Sequence, residues 1–123
     1  MARILVIDDD AMVRDAIRSI LEAQGYKVGE AENGRDGLVK MRADRFDLVI
    51  TDIIMPEMEG VEAILAIREE FPSVKVIAIS GGGRTANYDF LGVAGKLGAN
   101  KTLQKPFRRE ELLRAVQGCL GPG

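Results

Sequence analysis

Three consecutive aspartates, Asp8-Asp9-Asp10, a fourth at Asp52, the hydroxyl of Ser80 and the ammonium of Lys105 are the side chains of this sequence whose types suit joint chemistry. Each group directly follows a short strand-like run, respectively LVI, VIT, VIAI and TLQ. If Asp8, Asp9 and Asp52 meet, each close pair repels by about 3 to 4 kcal/mol at an effective dielectric of about 20, so a positive partner is required. Lys105 is one candidate and a hard divalent cation the other. Oxygen donors without His or Cys favour magnesium, which keeps several waters and takes few carboxylates together with a phosphate oxygen. A carboxylate beside such a cation, a lysine and a hydroxyl is equipped to receive a phosphoryl group: Asp52 as nucleophile, Lys105 and Ser80 on the phosphoryl oxygens.

Composition closes off the common alternatives. The chain has no histidine, which removes the usual general base, the Ser-His pair and the commonest metal ligand. Cys119 is the single cysteine, so no intramolecular disulfide forms and no zinc cluster is suggested. A net charge of −2 offers no basic field for nucleic acid. The apolar run Ile4 to Ile7 is far too short for a signal peptide or a membrane span, and a cytoplasmic protein without membrane contact is expected. With 123 residues, 46% hydrophobic and 29% charged, residues 1–123 fit one globular domain.

The elements that must carry these residues alternate between short apolar runs and segments of helical period, the pattern of parallel βαβ units. Strands are expected over Arg3 to Ile7, Tyr26 to Ala31, Phe46 to Thr51, Val74 to Ser80 and Lys101 to Gln104. Helices are expected over Met12 to Gln24, Arg35 to Arg42, Val61 to Phe71, Thr85 to Leu97 and Arg109 to Leu120. In the first, Val13, Ile17, Ile20 and Leu21 share a face and Gly25 ends it; in the third, Ile64, Leu65 and Ile67 point inward. Thr85 to Leu97 holds two internal glycines, each costing about 1 kcal/mol relative to alanine, and is expected to be the least stable helix. Parallel strands present functional residues at their carboxyl ends, which is where every group named above falls.

At these residues the chain resembles the receiver domains of bacterial two-component response regulators, over essentially its whole length. LVIDDD, TDIIMPEMEG, VIAISG and LQKPF match the family's four signatures in order. The resemblance implies a single-domain, doubly wound (βα)5 α/β sandwich with a five-stranded parallel sheet in the order 2-1-3-4-5. It implies Asp52 as the phosphorylated residue, Asp9 as a direct magnesium ligand, Asp8 as a water-mediated one, and the Ile54 carbonyl as a further ligand. Ser80 matches the switch hydroxyl and Lys105 the phosphate-pairing lysine, with the bond before Pro106 cis. A sensor histidine kinase or phosphotransfer protein is the implied donor, a protein the implied target, and region 81–104 the part that changes shape. The chain departs from the family at Thr102, where Tyr or Phe is usual, and in extra length at Gly81-Gly82-Gly83-Arg84. No output domain is expected after residue 120.

Plainer readings stand beside these. Asp10 is read as the N-cap of the first helix, Met55-Pro56 and Gly60 as shaping the loop after Asp52, and Arg108, Arg109 and Arg114 as solvated charge. GKLGANKT, Gly95 to Thr102, nearly fits a phosphate loop but has Asn100 where glycine is needed and runs into a strand. A magnesium-dependent phosphohydrolase would need a second carboxylate two residues beyond the nucleophile, and Ile54 stands there. A receiver-like interaction module that takes no phosphate would not need the acids and the lysine together.

Overall fold

The computed structural model describes residues 2–52, 60–80 and 98–121, with Gly60, Val61 and Ser80 as backbone only. Five strands run β1 (Arg3–Ile7), β2 (Lys27–Ala31), β3 (Leu48–Asp52), β4 (Lys75–Ser80) and β5 (Lys101–Gln104). The four helices among the described residues are α1 (Ala11–Ala23), α2 (Gly34–Ala43), α3 (Gly60–Glu70) and α4 (Arg109–Leu120). All strand pairs are parallel and their order is β2-β1-β3-β4-β5, as the resemblance implies. The expected helix Thr85 to Leu97 and the loop that departs from the family lie outside the described residues.

Alternation along the strands divides the apolar side chains between two cores. Leu5, Ile7, Val49, Val76 and Ala78 face α2 and α3, meeting Leu38, Met41, Ile64 and Ile67. Ile4, Val6, Leu48, Ile50, Ile77 and Ile79 face the other way, onto α1 and α4, where Ile17, Leu21, Leu112 and Val116 are buried. In α1 the expected stripe is present, with Val13 and Ile20 half-buried at its margins. In α3, by contrast, Leu65 is 46% exposed instead of inward. Ala63, Ile64 and Ile67 take the inward arc, and one residue is a rotation of about 100°, which carries Leu65 off it. Phe46 is buried but precedes β3; its ring fills the space above Gly29 of β2, where an added Cβ would meet it at 3.0 Å.

Local signals fix the ends. Asp10 caps α1, its Oδ1 accepting the Met12 N–H at 2.9 Å, and Asn33 caps α2, accepting the Asp36 N–H at 2.8 Å. Gly25, at φ +93°, turns the chain out of α1. Where β5 begins, Asn100 is bonded twice to Val76: its N–H donates to the Val76 carbonyl at 2.8 Å and its Oδ1 accepts the Val76 N–H at 2.9 Å. The residue that spoiled the phosphate-loop pattern thus joins β5 to β4. No helix among the described residues is long and apolar enough to cross a membrane.

Candidate functional site

Strand register decides which side chains meet. Ile7 of β1 is level with Thr51 of β3, so the next residues, Asp8 and Asp52, leave adjacent strands at one height, about 4.8 Å apart along the ladder. Counting on by twos, 4-6-8 and 48-50-52, directs both towards the α1 and α4 face. Ile79 of β4 is level with Asp52 and Leu103 of β5 with Ile79, and Leu103 packs on that same face. Lys105 follows two residues later, before a cis bond to Pro106.

The Lys105 Nζ donates to Asp8 Oδ2 at 3.0 Å and to Asp52 Oδ2 at 2.9 Å. Both carboxylates are withdrawn from water, their side chains 1% and 7% exposed. Buried charges of that kind persist only when paired, and one ammonium serves both. Burial works against the charged lysine, but hydrogen bonds and attraction from Asp52 and Asp8 prevail and hold its pKa above the ordinary lysine value. The remaining Asp8 oxygen, Oδ1, accepts the Asp10 N–H at 2.9 Å. Asp9, exposed to solvent, completes an acidic trio with Asp8 and Asp52, one carboxylate oxygen from each lying within 4.8 Å of the others. Hard oxygen donors at that spacing suit a single divalent cation.

Of the residues singled out in the sequence, Asp8, Asp9, Asp52 and Lys105 are therefore brought together. Ser80 ends β4, level with Gln104, and its side chain is outside the described residues, as is all of Ile54. Thr102 lies exposed on β5, level with Ala78. Arg108, Arg109 and Arg114 are exposed, as read.

A further set behind the acids was not singled out. Arg14 of α1 donates from Nη1 to the Asp8 carbonyl at 2.6 Å and from Nε to Glu30 of β2 at 3.3 Å. Arg18, one turn on, donates to the other Glu30 oxygen at 2.7 Å. The available signal was the i,i+4 pair of arginines on α1, four residues after the Asp10 cap; its partner on β2 is set only by the fold.

Comparison with known proteins identifies the family. The chain is 37% identical over 115 residues to the chemotaxis protein CheY of Thermotoga maritima, covering 93% of each. It is 34% identical to the transcriptional regulatory protein ResD of Bacillus subtilis, covering 96% of this chain but 48% of that protein, so it spans about half of such longer relatives. A CheY-like receiver domain protein from Methanospirillum hungatei superposes with a TM-score of 0.86 at 31% identity, over 96% of this chain and 92% of that one. The model of the response regulator receiver domain matches residues 4–117. On sequence and fold alike, the chain belongs to the response regulator receiver domains, the phosphoacceptor signalling modules of two-component systems.

Proposed function

We propose that Asp52 accepts a phosphoryl group from the phosphohistidine of a sensor histidine kinase or phosphotransfer protein in the cytoplasm, with magnesium held by Asp9, Asp8, Asp52 and the Ile54 carbonyl. The observation that carries this reading is the single ammonium shared between two buried carboxylates on adjacent strands, with a third carboxylate beside them. No hydrogen bond to the Asp9 carboxylate is found among the described residues, whereas both Asp8 oxygens are engaged, which supports Asp9 as the direct ligand and Asp8 as the one acting through water. Magnesium, when bound, would offset the negative charge of the phosphoryl oxygens.

The chain's own residues supply the rest. An Asp52 carboxylate oxygen attacks phosphorus, the phosphorus–nitrogen bond breaks, and the imidazole, protonated on its other ring nitrogen, leaves as the neutral base with the bond's electron pair. Lys105 then finds phosphoryl oxygens in place of the carboxylate oxygen it held, and Ser80 donates a hydrogen bond to another. Apart from this self-phosphorylation and the hydrolysis that restores the Asp52 carboxylate and releases inorganic phosphate, no turnover of small substrates is proposed. The new charge of about −1.5 to −2 draws on Lys105 and Ser80 and biases region 81–104 between two arrangements, presenting a changed surface to a protein target. Residues 1–123 form the single receiver unit in this reading.

Incubation with acetyl phosphate and magnesium, followed by intact mass measurement, tests the site. One phosphoryl adduct is expected on the native chain and none on Asp52→Asn. An adduct that persists in the variant would refute the assignment.

A further inference from the structure

We infer that Arg14 is a positioning residue of this site: braced by Glu30, its guanidinium holds the Asp8 carbonyl and so fixes the turn that presents Asp8 and Asp9. The inference rests on the reading of the acidic trio given above, and it assigns Arg14 no contact with phosphate or metal.

Every polar group of Asp8 is engaged. Its N–H donates to the Ala31 carbonyl of β2 at 3.1 Å, its Oδ1 accepts from Asp10, its Oδ2 accepts from Lys105, and its carbonyl accepts from Arg14 at 2.6 Å. The first is an extension of the strand ladder and the next two belong to the cap and the charge cluster. The carbonyl lies one residue beyond Ile7, the last β1 residue in register with β2, and a guanidinium from the first turn of α1 donates to it there. Its short length marks a charge-assisted bond.

The brace keeps the guanidinium from swinging away. Arg14 is mostly buried, its side chain 14% exposed, and Glu30 holds it through one carboxylate oxygen while Arg18 holds the other. Lys40 of α2 donates to the backbone carbonyl of Glu30 as well, so this residue is tied to helices on both faces of the sheet. Mutual repulsion among Asp8, Asp9 and Asp52 pushes the turn outward, and the Arg14 bond opposes that displacement at its base. Arg14 and Arg18 share Glu30, but only Arg14 reaches Asp8, which separates site positioning from ordinary cross-linking of α1 to β2.

The test uses the whole chain and three variants: Arg14→Met, which keeps the apolar stem and loses the donors, Arg14→Lys, and Arg18→Met. In metal-free protein, the Asp10 amide should exchange with solvent deuterium about tenfold faster in Arg14→Met, and change less than about twofold in Arg18→Met. Calorimetric titration with magnesium chloride should show about tenfold weaker binding for Arg14→Met, near-native binding for Arg18→Met, and partial recovery in Arg14→Lys. An unchanged Asp10 amide in Arg14→Met overturns the inference, as does a parallel loss in both Met variants that simply follows their thermal stability. If the native chain takes up neither magnesium nor a phosphoryl group, the reading of the trio fails separately, and the metal-free exchange still decides whether Arg14 holds the turn.

Discussion

Lys105 occupies the position where the acidic cluster needs a cation, and its removal should be felt before any chemistry is attempted. Lys105→Met leaves two buried carboxylates facing each other beside Asp9, and the metal-free variant is expected to lose about 3 kcal/mol of stability in urea unfolding. Magnesium chloride should then raise the stability of the variant, because a cation that binds only the folded site shifts the equilibrium towards it. An unaltered urea midpoint without metal would show that the ammonium does not offset the carboxylates. The sequence disclosed these residues because each follows a strand-like run, so one topological rule collects them. Arg14 and Glu30 escaped it: their meeting depends on the α1 to β2 arrangement, and an i,i+4 pair of arginines on an amphipathic helix is a pattern that solvated arginines share.

Among the elements, two helical glycines illustrate what packing adds to propensity. In α4, a Cβ on Gly118 would meet only the movable end of Lys101, with Cε at 3.1 Å. In α2, a Cβ on Gly37 would lie 2.5 Å from Cδ1 and 3.1 Å from Cγ1 of Ile7, a core residue that is 1% exposed. Gly118→Ala should therefore stabilise the protein by about 0.5 to 1 kcal/mol through helix propensity alone. Gly37→Ala should destabilise it by about 1 to 2 kcal/mol, since the same gain is outweighed by overpacking beneath the last residue of β1. Thermal unfolding of the pair checks the opposite signs, and a gain in both would disprove the close α2 to β1 contact. Periodicity located all nine described elements to within a residue or two, yet it placed Leu65 inward and began β3 at Phe46. An apolar residue next to a buried arc, or just ahead of a ladder, has the same sequence signature as one within it; only its neighbours separate them.

At the scale of the molecule, the alternating strands split the apolar residues into two cores that share one sheet. Ile64 and Leu112, both fully buried, sit in opposite cores with that sheet between them. Ile64→Ala and Leu112→Ala should each cost about 3 kcal/mol, and each should shift one unfolding transition instead of splitting it. Circular dichroism in urea reads this directly, with two separated transitions as the contrary result. That the chain forms a parallel βαβ sheet was legible from the alternation of runs, whereas the order β2-β1-β3-β4-β5 rested on family resemblance, because apolar runs of similar character carry no information on which lies beside which.

The strands that carry the site differ in how firmly they are mounted. Asp8 and Asp52 follow or end β1 and β3, whose apolar residues are fully buried and which have a strand on each side. Lys105 follows β5, the four-residue strand at the sheet's margin, with one strand neighbour and a largely exposed face. A load applied between the acids and the lysine is thus shared by a stiff support and a compliant one. If Asp52 takes a phosphoryl group as proposed, most of the displacement is expected on the compliant side, at the edge of the sheet, with the acidic floor keeping its shape.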